Sequence, residues 1–316
     1  MEETEKRQIP RSAAGDSADG SQPPRYRSYM SSPFIVAALP LRDVKKNTFE
    51  RRYNNLTLTL TGKGTIPFGR YGRLLLSIFT THAVLSKKND GVVTYKSIKD
   101  LLEEMQLPKQ RGELIKEQLE AFSHSTFFFE ERRSKISQKV LFKNFLESGE
   151  KLEGDVKVTA VSTGVVPFFD SMSYGELDGD GNKKKTIAIR IVLSEKFRQL
   201  SKEHAVPIDY STYKKIPSSL GKDLYAWFVY KNNALNEPVF IPRTSLVSQF
   251  FTDKNDVSSE RHNWSDLKNA IRDIKLKYYP DLNVSIARDN SGITLSKSNS
   301  IILNNDCRYV LVTSSL

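Results

Sequence analysis

Lys268, Arg272 and Lys275 recur at helical spacing between Trp264 and Pro280. Leu267, Ile271, Ile274 and Tyr278 keep the same spacing, displaced by one residue. A helix built on this segment has an apolar stripe that must be buried and a cationic stripe about 100° round its surface. The chemistry of the second stripe is anion binding. A guanidinium at Arg272 can meet guanine bidentately, and the amide of Asn269 can meet adenine in the same way. Lys275 and Lys277 are point charges suited to phosphate. Lys268 suits phosphate equally and lies among the candidate base readers. Arg261, His262 and Asn263 precede the segment, at the expected helix N-terminus, where base contact concentrates in such helices. The base-reading set is therefore Arg261, His262, Asn263, Lys268, Asn269 and Arg272.

An element must follow to hold this helix against DNA. Asn283-Val284-Ser285-Ile286-Ala287-Arg288 and Ile293-Thr294-Leu295-Ser296 flank the turn Asp289-Asn290-Ser291-Gly292, a hairpin pattern. A helix followed by a two-stranded wing is the C-terminal half of a winged helix, and Arg288 on the wing is a candidate phosphate contact.

The composition agrees with a polyanionic partner. The 316 residues carry 48 Lys and Arg against 37 Asp and Glu, a net charge of +11. Catalysis finds little support. His82, His124, His204 and His262 are scattered, with no pair at metal-ligating spacing or at the spacing that nicking chemistry needs. Cys307 stands alone in an apolar run. Asp178-Gly179-Asp180-Gly181-Asn182 starts like a calcium loop, but Lys183 and Ile189 stand where the pattern wants Gly and Glu. Gly62-Lys63-Gly64 lacks the Ser or Thr of a nucleotide loop. No cofactor or metal is expected. No apolar run nears the ~20 residues of a membrane span and no secretory signal opens the chain, so a cytoplasmic protein is expected.

The elements read as α+β, two tandem winged-helix domains behind a disordered N-terminal tail. Residues 1–29 form the tail, 30–204 the first domain and 205–316 the second. Leu/Thr alternation at residues 56–61 marks a strand. A helix is expected from about Tyr71 to Ser86, and a short strand at Val92-Val93-Thr94-Tyr95. Ser97 is expected to cap a second helix, and a third runs over about 112–124, burying Leu114 or Ile115 with Leu119 and Phe122. Thr126-Phe127-Phe128-Phe129 and Lys139-Val140-Leu141-Phe142 then read as the first wing. Lys109, Arg111 and Lys116 on the third helix, and Arg132, Arg133 and Lys135 on that wing, are candidate phosphate contacts. Glu113, Glu117 and Glu120 offset the helix charges. Lys183-Lys184-Lys185 is either a further backbone contact or a solvated loop. In the second half, Ser218 and Ser219 open a helix, Val239-Phe240-Ile241 is a short strand, and Thr244 is expected to cap a short helix ahead of the basic one.

Two groups of residues point to a family. One comprises Ser32-Pro33-Phe34-Ile35-Val36-Ala37-Ala38-Leu39-Pro40-Leu41-Arg42-Asp43, Phe49, Arg51-Arg52, residues 55–61, Pro67-Phe68-Gly69-Arg70 and Arg73-Leu74-Leu75-Leu76. The other comprises Asp223-Leu224-Tyr225-Ala226-Trp227 and Tyr278-Tyr279-Pro280. Together the chain resembles the RepA-type plasmid replication initiators over most of residues 30–316. It departs from them at Lys45-Lys46, Asn47, Phe251-Thr252 and residues 296–300. The resemblance implies two winged helices that bind repeated double-stranded sites at a plasmid origin. It further implies melting of the adjacent duplex, recruitment of host replication proteins including the helicase, and a switch between origin-binding monomers and autorepressing dimers. By the same analogy the second domain reads bases, while the first grips the backbone and forms the dimer interface. A winged-helix transcriptional regulator, or less readily a primase or nicking enzyme, are the competing readings.

Overall fold

The computed structural model describes residues 26–53, 56–86, 90–134, 158–162, 165–177, 186–251, 257–300 and 308–309. The tail ahead of residue 26, Lys135, the strand expected at 139–142, Lys183-Lys184-Lys185 and Cys307 lie outside these residues.

The first stretch of chain forms β1 (Tyr26–Ser31), α1 (Ser32–Val36), β2 (Thr48–Tyr53), β3 (Leu56–Gly62), α2 (Gly69–Leu85), β4 (Val92–Tyr95) and α3 (Ile98–Glu104). A 3-10 turn (Lys109–Arg111) leads into α4 (Gly112–Ser123), then β5 (Ser125–Ser134), β6 (Val158–Ser162), β7 (Val166–Pro167), β8 (Phe169–Leu177), β9 (Thr186–Leu193) and α5 (Glu195–Glu203). The remainder is β10 (Ala205–Asp209), α6 (Tyr210–Lys215), α7 (Ser219–Ala234), β11 (Val239–Pro242), α8 (Arg243–Phe250), α9 (Val257–Asp273), a π-turn (Ile274–Tyr278), β12 (Val284–Ile286), β13 (Gly292–Leu295) and β14 (Arg308–Tyr309).

This is an α+β fold with one plan used twice. In the first winged helix α2, β4, α3 and α4 precede the wing strands β8 and β9, with sheet order β4–β9–β8. In the second, α7, β11, α8 and α9 precede β12 and β13, with sheet order β11–β13–β12. Serine caps open several helices. Ser97 accepts from Asp100 N at 3.3 Å, Ser194 from Phe197 N at 3.1 Å and Ser218 from Gly221 N at 3.0 Å.

Three expectations are corrected. The Phe127–Phe129 segment is no wing. It belongs to β5, which pairs with β3 and β6 in a separate sheet. Phe127 and Phe129 lie 4.9 and 5.3 Å from the Phe34 ring, so burial of their aromatic surface binds this strand into the core. Arg132 and Arg133 consequently sit opposite Ala160 and Thr159 of β6 rather than on a wing. Residues 26–29, placed in the expected tail, belong to β1, which hydrogen-bonds along β10. Of the two alternatives on α4, Ile115 is the buried one. Thr244 caps nothing: α8 starts at Arg243, whose N–H is satisfied by Ser291 O of the second wing at 2.7 Å.

One core serves both winged helices. Residues 31–40 are buried throughout and lie at the seam. The Arg73 guanidinium crosses it. Its Nε and Nη2 donate to the two Asp223 oxygens at 2.6 and 2.7 Å, Nη2 also to Leu39 O, and Nη1 to Pro40 O and Gly69 O. All five donors are thereby used. Arg51 makes a second crossing, donating from Nη1 to the last carbonyls of α8, Gln249 O at 3.2 Å and Phe250 O at 3.3 Å. Burial pushes its pKa down to about 10, countered by Asp223. Gln249 answers by donating to Val36 O at 3.3 Å.

Removing one member of a buried ion pair strands the other charge. Asp223→Ala is expected to cost about 3–5 kcal/mol, whereas the paired change Arg73→Met with Asp223→Leu recovers most of that loss. Urea unfolding midpoints of the single and double variants check this; equal losses in both would contradict it.

Candidate nucleic-acid interface

The surface with most exposed basic character on a recognition-type helix is built on α9. Its inward side is as expected: Trp264, Leu267, Ile271 and Ile274 are buried, and the helix packs on α7 and α8. Arg243 lies 6.0 Å from the Trp264 ring and pairs with Glu260 at 2.9 Å, fastening the start of α9 to α8.

The helix starts earlier than its apolar stripe suggests, at Val257 instead of Trp264. Arg261, His262 and Asn263 therefore lie within it, not at its N-terminus. Asn263 precedes Leu267 by one turn and is buried, so it leaves the base-reading set. Arg261, His262, Asn269 and Arg272 are exposed and Lys268 half-buried. Ser265 is exposed between them, completing a row Arg261, Ser265, Asn269, Arg272 along one face. Ser265 escaped the sequence reading because serine carries no charge signal; its spacing four residues after Arg261 and four before Asn269 was the available clue.

At its C-terminal end the helix widens into the π-turn. Tyr279 N donates to Ile274 O at 2.7 Å, a bond five residues long. One extra residue in the turn moves the next inward position from Tyr278 to Tyr279, which is buried while Tyr278 is only half-buried. Burial is the largest cause raising the Tyr279 hydroxyl to about 12.

The cations differ in how they are held. Lys268 Nζ donates to Asn290 Oδ1 of the wing turn at 2.8 Å and lies 5.9 Å from the Trp264 ring. Lys275 Nζ donates to Val284 O of the first wing strand at 3.0 Å. Lys277 pairs with Asp273 at 2.8 Å, and the hydrogen bond to that carboxylate raises its pKa. His262 lies 3.5 Å from Asp266. Arg261 and Arg272 make no hydrogen bond or ion pair among the described residues. Arg288 is exposed on the wing turn. That turn is closed by Ala287 N to Gly292 O and Asn290 N to Ala287 O, both 3.0 Å, with Asn290 at φ 60. Asp289 accepts from Ser291 N and Oγ, which holds its carboxyl below the ordinary value.

The first winged helix offers no such row. Lys109 is exposed and Arg111 half-buried ahead of α4, but Lys116 is paired with Glu113 at 2.8 Å. Glu113, Glu117 and Glu120 are exposed along the helix. Among the described residues no group of His, Cys, Asp and Glu could hold a metal, and no helix is long and apolar enough to cross a membrane.

No protein-family model matches the chain, and no curated protein matches it in sequence. Solved structures do. A crystal structure of domains 2 and 3 of RctB matches with a TM-score of 0.50 and 14% identity, over 83% of this chain and 95% of that one. A second RctB structure, covering domains 2–3, gives a TM-score of 0.45 at 12% identity, over 83% and 94%. The Pi initiator protein in complex with iteron DNA gives 0.44 at 12% identity, over 85% and 95%. The first of these shares the fold. Fold and surface together define a protein of two joined winged helices, one carrying a helix-and-wing cationic face.

The wing's place depends on Gly292. A Cβ there would meet Ile241 O at 2.2 Å, since β11 and β13 run close at this point. Gly292→Ala is expected to destabilise the chain by about 1–3 kcal/mol through overpacking. Gly175→Ala on β8, where a Cβ meets nothing within 4 Å, serves as control. A lowered urea midpoint for the first and an unchanged one for the second is the expected result.

Proposed function

We propose that this protein is a plasmid replication initiator. It binds repeated double-stranded sites at the plasmid origin through α9 and its wing, and acts without strand-cleaving chemistry of its own. It promotes melting of the neighbouring duplex, brings in host replication proteins including the helicase, and represses its own promoter as a homodimer. The observation that carries this reading is the exposed row Arg261, Ser265, Asn269 and Arg272, flanked by the tethered cations Lys268, Lys275 and Lys277 and by Arg288. The donors along the row suit base edges; tethered cations and the wing suit phosphates. The tandem winged-helix fold and the resemblance to RepA-type initiators support the extension from DNA binding to origin function.

A purified chain should prefer its own origin fragment over a shuffled one by ~10³-fold or more at ~150 mM salt, with footprints repeating along the fragment. Plasmid maintenance from that fragment separates an initiator from an operator-binding regulator, which would footprint but not replicate. Equal affinity for both fragments would reduce the surface to a phosphate grip. Arg272→Ala is expected to cost on the order of 1–3 kcal/mol on the origin repeat and much less on random DNA. Lys277→Ala should weaken both alike and reduce the slope of log K against log salt by about 0.9. Equal losses for Arg272→Ala on the two DNAs would remove it from base reading.

A further inference from the structure

The outward row of α9 ends in a residue that neither charge nor hydrogen bonding explains. Leu276 is 76% exposed, the most exposed large hydrophobic side chain among the described residues. Leaving a leucine in water forgoes the burial that stabilises Leu267 a few turns away. A lone exposed leucine is common on protein surfaces, so its setting decides whether it has a use.

Three features of that setting converge. Leu276 follows Arg272 by four residues, so it continues the row Arg261, Ser265, Asn269, Arg272 at one further turn. The π-turn delays the return to the core until Tyr279, which keeps Lys275, Leu276 and Lys277 all exposed in succession. The lysines on either side are drawn away from it, Lys275 to Val284 O and Lys277 to Asp273. Leu276 is thus left at the middle of the outward arc, flanked by two cations positioned for phosphates.

We propose that Leu276 is a specificity-determining residue that reads thymine, packing its isobutyl group on the C5-methyl in the major groove beside the base met by Arg272. The methyl is the one apolar feature on that edge of the base pairs, and apolar side chains are its natural partners. One helical turn, about 5.4 Å, separates the two readers, against a base-pair step of about 3.4 Å. The thymine therefore falls within about two steps of the pair met by Arg272. This inference rests on the base-reading role proposed above for α9 and adds to it a base and a contact.

Uracil tests it, because it keeps every hydrogen-bonding group of thymine and lacks only the methyl. The full chain is used to select a tight-binding duplex from a random-sequence pool, and each thymine of that duplex is then replaced by uracil in turn. Wild-type protein should lose about fourfold in affinity at one or two thymines, the factor expected for one buried methyl. Leu276→Ala should bind the thymine duplex more weakly and show no loss at those positions. Leu276→Met, which keeps an apolar contact, should retain the loss, and so should Arg272→Ala. Melting temperatures unchanged from wild type are expected for both Leu276 variants, since the side chain is exposed. Identical uracil profiles for wild type and Leu276→Ala would overturn the assignment while leaving the base-reading role of α9 intact. Recovery of no preferred sequence from the pool would overturn that role, and this inference with it.

Discussion

The two winged helices are held in one arrangement by a guanidinium with no solvent to bind. Arg73 stands on α2 and Asp223 on α7, the first helices of the two winged helices, and the pair is almost wholly buried. Such a pair gains little over an apolar substitute, because desolvation consumes most of the attraction. Its effect is geometric instead. The planar fork fits Asp223, Leu39 O, Pro40 O and Gly69 O together, and only one relative placement of α1, α2 and α7 satisfies all of them. The surroundings are otherwise cationic. Arg51 is buried nearby, and burial, helped by Arg70 and Arg73, pushes the Lys222 amine well below its ordinary pKa. Lys222 is met by Tyr213 O and lies 4.6 Å over the Tyr213 ring. Asp223 is therefore the carboxylate around which three buried basic side chains are arranged.

From that seam the placement of the cationic surface follows step by step. Asp223 sits on α7, whose Trp227 and Phe228 pack within the shared core and whose flank receives α9. Trp227 meets Phe250 of α8 at 5.9 Å, and Arg51 holds the C-terminal carbonyls of that same helix from the first half of the chain. The start of α8 is held by the wing through Ser291 O. Each end of α8 thus reports a different neighbour, and α9 is seated against α7 and α8 with Lys268 reaching the wing turn. A displacement at the seam would shift α8 and with it the face that α9 presents.

Sequence patterns revealed the parts of this arrangement that are local. The two stripes of α9, the helix openings at Ser97 and Ser218 and the second wing were all visible, because helix period, capping chemistry and a short hairpin each lie within a few residues. The first wing was not. Val92–Tyr95 pairs with β9 about a hundred residues later, and nothing in a run of Phe or Val states which distant strand it will meet. Phe127 and Phe129 looked as strand-like as β8, and only their burial against Phe34 assigns them elsewhere. The π-turn also left no mark, since it is a one-residue change in backbone bonding; it exchanged Tyr278 for Tyr279 in the core. The start of α9 was hidden because its first turns lack the apolar stripe. Residues 32–43, Arg73 and Asp223 are among those on which the resemblance to initiators rested. In the structure these are mostly seam residues, so what they record is the joining of the two domains more than the cationic surface.

The cationic surface itself divides by restraint. Lys268, Lys275 and Lys277 are each tied to an oxygen of the chain, which fixes long side chains that would otherwise lose rotamer freedom on binding. Each lysine keeps further N–H donors for a phosphate. Among the described residues Arg261 and Arg272 are untethered, which in the proposed complex suits their forks to a base edge. In the proposed complex this separates two tasks along one helix. Pre-positioned lysines and the wing set the register on the backbone, and the outward row then meets whichever bases that register brings beneath it. The first winged helix, with its glutamate-lined α4, lacks that row. The same fold repeated twice thus carries two different surfaces, and the buried seam determines how they face relative to one another.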